Sequence, residues 1–278
     1  MTVRIDWWAL ALLAPAFLLL LALFVIPAAW SVLGAFQSPS GPTLLHFQTA
    51  FGTYWRDIWF TLWLTTAAVL IIALLAILIG GYLTLGSSGP AVRILAWLYR
   101  WPLFVPMVCA AQMMRSFLAR NGMLNNTLVA SGLLPQSAAA SMLDWRGILI
   151  TFVWKQLPFV TLMTAGAMAA LDRSLIEAAR DLGASRLRVL AGIVVPLVRA
   201  PLLVACVLTF VTLTSVLSVP IMLTADTPTM ITVDMAYRIN TFGDYGTADA
   251  LGVISYGLTM LAAWIYLRDA ARQRDVFR

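Results

Sequence analysis

Residues 171–201 read LDRSLIEAARDLGASRLRVLAGIVVPLVRAP and differ sharply from the apolar sequence on either side. The stretch contains Glu177, which is the only glutamate in the chain, together with five arginines. Charged side chains are costly within the hydrocarbon core of a bilayer, so a polar, helix-forming insert between long hydrophobic runs is expected at the membrane surface. We therefore expect residues 171–201 to form a surface at which another protein docks.

The composition is that of an integral membrane protein. Of the 278 residues, 62% are hydrophobic and 11% are charged, whereas soluble domains carry about 25% charged residues. Basic cytoplasmic segments explain the net charge of +6. The sequence has no Lys/Arg stripe interleaved with aromatic residues, so we expect no nucleic-acid binding. Cys109, Cys206 and the single histidine, His46, lack metal-ligand spacing, so we expect no metal site.

Six stretches are long and apolar enough to cross a bilayer, which takes roughly 20 residues. They are residues 7–36, 58–85, 101–118, 147–171, 197–221 and 247–267. We expect an all-α polytopic membrane protein. Its expected parts are a first transmembrane helix and periplasmic loop (1–57), a core of five helices (58–267) and a basic tail (268–278). The first run is expected to be retained, because it is longer than the apolar part of a signal peptide and no A-x-A site ends it.

The basic residues predict the orientation, because positive residues concentrate on the cytoplasmic side of membrane proteins. With the N-terminus in the cytoplasm, the segments on that side contain most of the 18 basic residues. They are Arg4, Arg93, Arg100, the five arginines of residues 171–201, and Arg268, Arg272, Arg274 and Arg278. We therefore expect both termini in the cytoplasm, together with residues 171–201 between the fourth and fifth spans.

Local signals divide residues 171–201 into two short helices. Ser174 and Glu177 have the spacing of a capping box, in which both side chains satisfy backbone N–H groups at the start of a helix. Gly183 can end that helix in the left-handed conformation. Ser185 is placed to cap a second helix, which Pro196 is expected to end.

The first of these helices carries a pair of small residues, Ala178 and Ala179. The pair is expected to give a flat face that suits insertion into a groove on a partner. The alternative is an ordinary amphipathic helix-turn-helix that lies on the membrane without a partner.

The same stretch resembles the EAA motif of the membrane subunits of binding-protein-dependent ABC importers. The matching residues are Glu177, Ala178, Ala179, Gly183, Ile193, Val195 and Pro196. The family pattern has leucine at the position of Val195. The motif lies in the expected cytoplasmic loop before the last two spans, and the resemblance covers roughly residues 61–267.

The resemblance implies a coupling helix that docks in a cleft of a cytoplasmic ATPase. The residues that it assigns to coupling are Glu177, Ala178, Ala179 and Gly183, with Arg180 and Asp181 as flanking contacts. It also implies a second permease subunit in a heterodimer, two ATPase copies, a periplasmic solute-binding protein and location in a bacterial inner membrane. The permease is then not an enzyme and holds no cofactor; ATP and Mg²⁺ are expected on the ATPase. The sequence indeed has no G-x-x-x-x-G-K-[ST] loop for phosphates.

Polar residues within the spans are candidates for a solute pathway, because charge inside a membrane is costly. Lys155, the only lysine, and Gln156 precede Pro158, which can free a backbone carbonyl. Either they face a water-filled path and favour an anionic group, or Lys155 snorkels to the outer interface. The further candidates are Gln112, Ser215 and Ser218. Helix packing is the alternative role for the hydroxyls.

The sequence leaves the substrate open. Residues 121–125 and 181–185 are similar to the subgroup that carries spermidine/putrescine, ferric iron or 2-aminoethylphosphonate, and sugar or glycerophosphodiester permeases are the alternative. Residues 222–246 are expected to be a loop facing either the binding protein or solvent; its charged residues are Asp226, Asp234, Arg238 and Asp244. A stand-alone secondary transporter is less favoured because we find no internal repeat. A membrane enzyme is disfavoured because His46 and Glu177 both lie in expected loops.

Overall fold

A computed structural model describes residues 7–39, 41–86, 89–224 and 228–276, which form a predominantly helical chain. The α-helices are α1 (Trp7–Leu20), α2 (Ile26–Ala35), α3 (Leu45–Leu85), α4 (Pro90–Leu98), α5 (Met107–Leu118), α6 (Met123–Ala130), α7 (Trp145–Ala169), α8 (Arg173–Asp181), α9 (Arg186–Val189), α10 (Val195–Ser215), α11 (Ser218–Leu223), α12 (Ile231–Tyr237) and α13 (Tyr245–Val276). Leu21–Val25, Leu190–Val194 and Arg238–Phe242 are π-helical, and Trp101–Phe104 and Gln136–Ala138 are 3-10 turns. Two short strands, β1 (Gln37–Ser38) and β2 (Gly41–Pro42), pair antiparallel, with Gln37 opposite Pro42.

Four helical stretches among the described residues are long and apolar enough to cross a membrane. They are Leu12–Ala35, Leu45–Leu85, Trp145–Ala169 and Arg186–Ser215. A fifth is obtained if Pro90–Phe104 and Met107–Ala130, which are bent by 108°, are counted as one span. The predicted third span is therefore not one continuous helix. The predicted sixth span lies in α13, where several side chains fall outside the described set, so the count of six stays a prediction.

Several segments predicted as loops are helical. α3 begins at Leu45, between the first and second predicted spans, α6 lies between the third and fourth, and α12 lies inside the predicted loop 222–246. α13 continues through the predicted tail to Val276. The polar residues between the apolar spans are typical of loops, but hydrogen bonds to distant parts of the chain accommodate them within helices. Asp57 of α3 is buried, for example, and its carboxylate accepts the backbone N–H of Thr229 at 2.7 Å.

The chain divides into two compact units, residues 1–55 with 234–257 and residues 56–233 with 258–278. The first unit joins α2 to α13 through a polar contact. The Ser31 hydroxyl donates to the Asp249 carboxylate at 2.6 Å. An acidic side chain on an apolar helix pair is thus satisfied by its neighbour, as buried polar groups require.

The second unit has an apolar core built by α3, α5, α7, α10 and α11. Its fully buried side chains include Leu64, Ile72, Ile148, Phe152, Leu213 and Val219. α7 packs along α10 and against α5, and α11 packs against both α5 and α7. A separate apolar cluster, which includes Met168, Val189 and Val194, joins the end of α7 to the start of the helix that leads into α10. α8 packs against this cluster.

Candidate functional site

α8 begins at Arg173 and is capped by Asp172. The Asp172 carboxylate accepts the backbone N–H of Ser174 at 2.9 Å, and this hydrogen bond lowers the pKa of the exposed carboxyl group. The predicted capping box is therefore wrong, because Ser174 is already the second residue of the helix and Glu177 lies beyond its first turn. Aspartate and serine are similarly good N-caps, and the chain uses the earlier one.

Gly183 ends α8 as predicted. Its φ of 82° lies in the left-handed region, and its N–H donates to the carbonyl of Arg180 at 2.9 Å. The N–H of Ala184 donates to the carbonyl of Ala179 at 3.0 Å. These two hydrogen bonds form a Schellman motif, which satisfies the last carbonyls of the helix. α8 is therefore fixed at both ends by short-range contacts.

Ser185 starts the next helix as predicted, since its hydroxyl accepts the N–H of Arg188 at 3.4 Å. The prediction that Pro196 ends this helix is wrong, because residues 186–215 form one helical stretch. A proline nitrogen has no proton for the carbonyl one turn earlier. The π-helical turn Leu190–Val194 ends two residues before the proline and shifts the hydrogen-bond ladder at that point.

The residues of the motif face different environments. Glu177 and Arg180 are exposed and line a cavity, Ala178 and Asp181 are exposed, and Ala179 packs against the apolar cluster beneath α8. Neighbouring residues of an α-helix point about 100° apart. The two alanines therefore do not form the single free face that the sequence suggested.

The apolar part of this surface was missed by sequence reasoning. Leu182 is 90% exposed and Leu187 is 71% exposed, one on each side of the Gly183 turn. In a membrane protein, exposed apolar side chains of this kind contact either another protein or lipid. The available signal was the placement of Leu182 and Leu187 among small and basic residues in the sequence LGASRLR, residues 182–188.

A cavity of about 720 Å³ lies between α8, the end of α3, α4 and the end of α7. Its lining is mixed: apolar side chains occur together with polar ones, and the charged lining residues are Arg100, Arg173, Glu177 and Arg180. The face of α8 that lines the cavity is thus distinct from the exposed leucines.

The break between α4 and α5 is stabilised by Lys155. Pro106 lies three residues after Leu103 and has no N–H to donate to the Leu103 carbonyl. Lys155 Nζ donates to that carbonyl instead, at 3.4 Å. Lys155 lies near the middle of the 25-residue α7, and its two alternative roles, facing the path or snorkelling, stay predictions.

A second break separates α10 from α11, so the predicted fifth span ends early, at Ser215. Val216 is extended, with ψ at 124°, and its carbonyl accepts the hydroxyl of Thr232 at 3.0 Å. The two helices that follow the breaks, α5 and α11, pack against each other and against α7. Interrupted membrane helices that expose backbone groups are typical of substrate and ion sites in transporters.

The remaining predicted pathway residues lie on these helices. Gln156 and Ser218 are half-buried, Gln112 and Ser215 are exposed, and the Ser215 hydroxyl donates to the Val211 carbonyl at 2.9 Å. The structure brings their helices together. Within the described part of the chain, no hydrogen bond joins the predicted pathway side chains to one another.

The predicted loop 222–246 is largely helical, and its charged residues differ in environment. Arg238 forms an ion pair with Asp244 at 3.2 Å and donates to Tyr54 Oη at 2.6 Å. Asp234 is buried, and Asp226 lies outside the described residues. In the described ranges, no three His, Cys, Asp or Glu side chains are grouped so that they could hold a metal ion.

Three transport permeases are similar in sequence. The sulfoquinovosyl glycerol transport system permease protein SmoG of Agrobacterium fabrum is 29% identical over 94% of this chain and 89% of its own length. The trehalose/maltose transport system permease protein MalF of Thermococcus litoralis is 30% identical over 49% of this chain and 50% of its own. The spermidine/putrescine transport system permease protein PotB of Escherichia coli is 30% identical over 54% of this chain and 56% of its own.

Solved ABC transporters share the fold. A chain of the bacterial alginate ABC transporter in complex with an alginate pentasaccharide-bound periplasmic protein superposes with a TM-score of 0.82 at 22% identity, over 96% of this chain and 95% of its own. A chain of the methionine ABC transporter MetNI gives a TM-score of 0.61 at 16% identity, over 81% of this chain and 98% of its own. Residues 76–272, well over half of the chain, match the family described as the binding-protein-dependent transport system inner membrane component, and the chain therefore belongs to this family of ABC importer permeases.

Proposed function

We propose that α8 and the turn after it couple this permease to a cytoplasmic ABC ATPase. The coupling surface comprises Glu177, Ala178, Ala179, Arg180, Asp181 and Gly183, together with the exposed Leu182 and Leu187. The observation that supports it is a helix fixed at both ends, by Asp172 and by Gly183, that still exposes apolar and charged side chains. Such a helix stays folded when a partner moves it, because local hydrogen bonds close both of its ends.

The proposed assembly contains a second permease in a heterodimer, two ATPase copies that hold ATP and Mg²⁺, and a periplasmic solute-binding protein. This chain contributes six spans in the bacterial inner membrane, with residues 58–267 as the core and both termini in the cytoplasm. The concentration of arginines around α8 and in residues 268–278 supports this orientation. A single set of six helices needs the second permease to enclose a path.

The proposed solute path runs beside the two helix breaks. Lys155 and Gln156 of α7, Gln112 of α5, and Ser215 and Ser218 at the α10–α11 break are its proposed polar residues. The support comes from the packing of α5, α7 and α11 around interrupted backbone. Where helices are interrupted, backbone and side-chain groups become available to a solute.

We infer that the solute is hydroxylated and either neutral or anionic, as in a glycoside. α5, α7, α10 and α11 contain four basic residues, Arg115, Arg146, Lys155 and Arg199, but no aspartate or glutamate, so this half of the path offers no carboxylate to a polycation. The relative matched over nearly the whole chain transports sulfoquinovosyl glycerol by name, whereas the polyamine permease PotB matches about half of it. Polyamines, iron and aminophosphonates are the competing solutes.

The coupling proposal is tested by substituting an exposed leucine. Leu182→Asp places a charge on the proposed contact, and Leu133→Asp is the matched control. Both leucines are strongly exposed next to a glycine with positive φ, but Leu133 lies in the segment expected on the opposite side of the membrane. We expect Leu182→Asp to lose the ATPase subunit on purification and Leu133→Asp to retain it. Equal retention of the ATPase by both variants would contradict the assignment.

The substrate class is tested with the reconstituted complex and its binding protein. ATP-driven uptake is measured with a glycoside and with spermidine, each at the same range of concentrations. We expect uptake of the glycoside. Uptake of spermidine with none of the glycoside would refute the inference while leaving the coupling proposal intact.

A further inference from the structure

The cavity beside α8 carries an unbalanced positive charge. Arg100, Arg173 and Arg180 line it, and Glu177 is its one acidic lining residue. The ion pairs found among the described residues join Arg146 to Asp144 and Arg238 to Asp244. None of the three arginines is therefore neutralised by a described carboxylate, and the cavity has a net positive lining.

One face of α8 forms a wall of this cavity. Its lining residues are Arg173, Ile176, Glu177 and Arg180, and their spacing of three, four and seven residues places them on one side of a helix. A molecule in the cavity would therefore touch the helix that we propose for coupling.

Arg100, an exposed lining residue just after α4, contacts the tyrosine before it in the chain. Arg100 Nε donates to the Tyr99 hydroxyl at 3.2 Å, and the guanidinium lies 5.5 Å from the centre of the Tyr99 ring. The Tyr99 residue is itself 7% exposed. A guanidinium that is ordered before binding loses less conformational entropy when it binds an anion.

The remaining lining combines the polar Thr84 and Tyr99 with a group of apolar side chains. The apolar side chains include Leu83, Leu85, Val92, Ala96, Leu162 and Ile176. A small soluble anion would gain nothing from the apolar part of this lining, because it needs polar groups or water on all sides. An amphipathic anion places its charged end on the arginines and its hydrocarbon along the apolar residues. Basic pockets between membrane helices on the cytoplasmic side bind the headgroups of anionic lipids for this reason.

We propose that the cavity binds an anionic phospholipid of the cytoplasmic leaflet, with its phosphate on Arg100 and Arg173 and an acyl chain along the apolar wall. Because the lipid contacts α8, its occupancy links membrane composition to the coupling of ATP hydrolysis with transport. This inference rests on the proposed coupling role of α8 and on the proposed orientation.

The test uses the assembled transporter with its ATPase and binding protein, reconstituted in nanodiscs of phosphatidylcholine with and without phosphatidylglycerol. Bound lipid is counted by native mass spectrometry, and binding-protein-stimulated ATP hydrolysis is measured in parallel. The double variant carries both Arg100→Gln and Arg173→Gln. The control is Arg120→Gln, at an exposed arginine that is far from the cavity residues in the sequence. Hydrogen bonds to charged groups contribute about 1.5–3 kcal/mol, so each lost arginine should weaken phosphatidylglycerol binding on the order of tenfold or more.

We expect phosphatidylglycerol to change the stimulated hydrolysis rate of the wild type and of Arg120→Gln, and to leave the rate of the double variant unchanged. The double variant should match the wild type in phosphatidylcholine alone. A double variant that responds like the wild type overturns the proposal. So does a wild type that gives the same response to inorganic phosphate in phosphatidylcholine, because a soluble anion would then suffice. The coupling proposal stands or falls separately, on the comparison of Leu182→Asp with Leu133→Asp.

Discussion

Replacing Gly183 by alanine tests whether the left-handed turn after α8 is needed for coupling. Gly183 has a φ of 82°, and a Cβ built on it meets no atom within 4 Å. The substitution therefore adds no steric clash with neighbouring residues, and its cost comes from the backbone alone. The matched control is Gly192→Ala, because Gly192 has equally open space at its Cβ and a negative φ.

The expected loss of stability of the turn depends on whether the substituted residue keeps the left-handed conformation or leaves it. A non-glycine residue in the left-handed conformation costs about 1–2 kcal/mol. Leaving that conformation would break the hydrogen bonds from Gly183 and Ala184 to the end of α8, at about 0.5–1.5 kcal/mol each. The two costs are comparable, so the turn is lost in a substantial share of molecules. A loss of about 1–2 kcal/mol lowers the equilibrium constant for the formed turn by about 5- to 30-fold.

The assay is uptake per ATP hydrolysed by the reconstituted complex, together with the amount of ATPase retained on purification. We expect Gly183→Ala to lower both several-fold, Gly183→Asn to lower them less because asparagine tolerates positive φ, and Gly192→Ala to leave them unchanged. If Gly183→Ala and Gly192→Ala behave alike, positive φ at Gly183 is not required and the reasoning fails.

Three further substitutions test other contacts. Asp172→Ala should lower the thermal stability of the purified chain more than Ser174→Ala does, because Asp172 caps α8; equal losses of stability would contradict the cap. Because the pKa of Asp172 is lowered in the folded chain, the stabilisation by the cap should be present above the ordinary carboxyl pKa of 3.8 and be lost as the pH falls below that value. Lys155→Met removes the hydrogen-bond donor at the α4–α5 break, so solute uptake and thermal stability should fall together. Lost uptake at full stability would favour a direct role of Lys155 in the path. Unchanged uptake and unchanged stability would exclude both the role at the break and the role in the path. Gly34→Ala pushes a Cβ into the carboxylate of Asp249 and should reduce thermal stability by more than the open-space control Gly192→Ala, whereas equal values would show that the α2–α13 contact adapts.

The sequence alone determined the class of protein and the local details of the coupling segment. Gly183 and Ser185 were identified correctly because their hydrogen bonds reach three to five residues along the chain, so the partners are encoded nearby. The family followed from the same stretch, since the spacing of its small, acidic and glycine residues is a property of sequence. The capping residue was misassigned because Asp172 and Ser174 are both competent caps.

Only the tertiary structure decided where the helices start and break, and what fills the breaks. Asp57 is accommodated in α3 by a backbone N–H far along the chain, Lys155 supplies the proton that Pro106 cannot donate to Leu103, and Ser31 satisfies Asp249. These partners are 52 to 218 residues apart, and no local pattern specifies which distant group will be in reach. The charged cavity beside α8 has the same origin, because its walls come from four helices that meet only after the chain has folded.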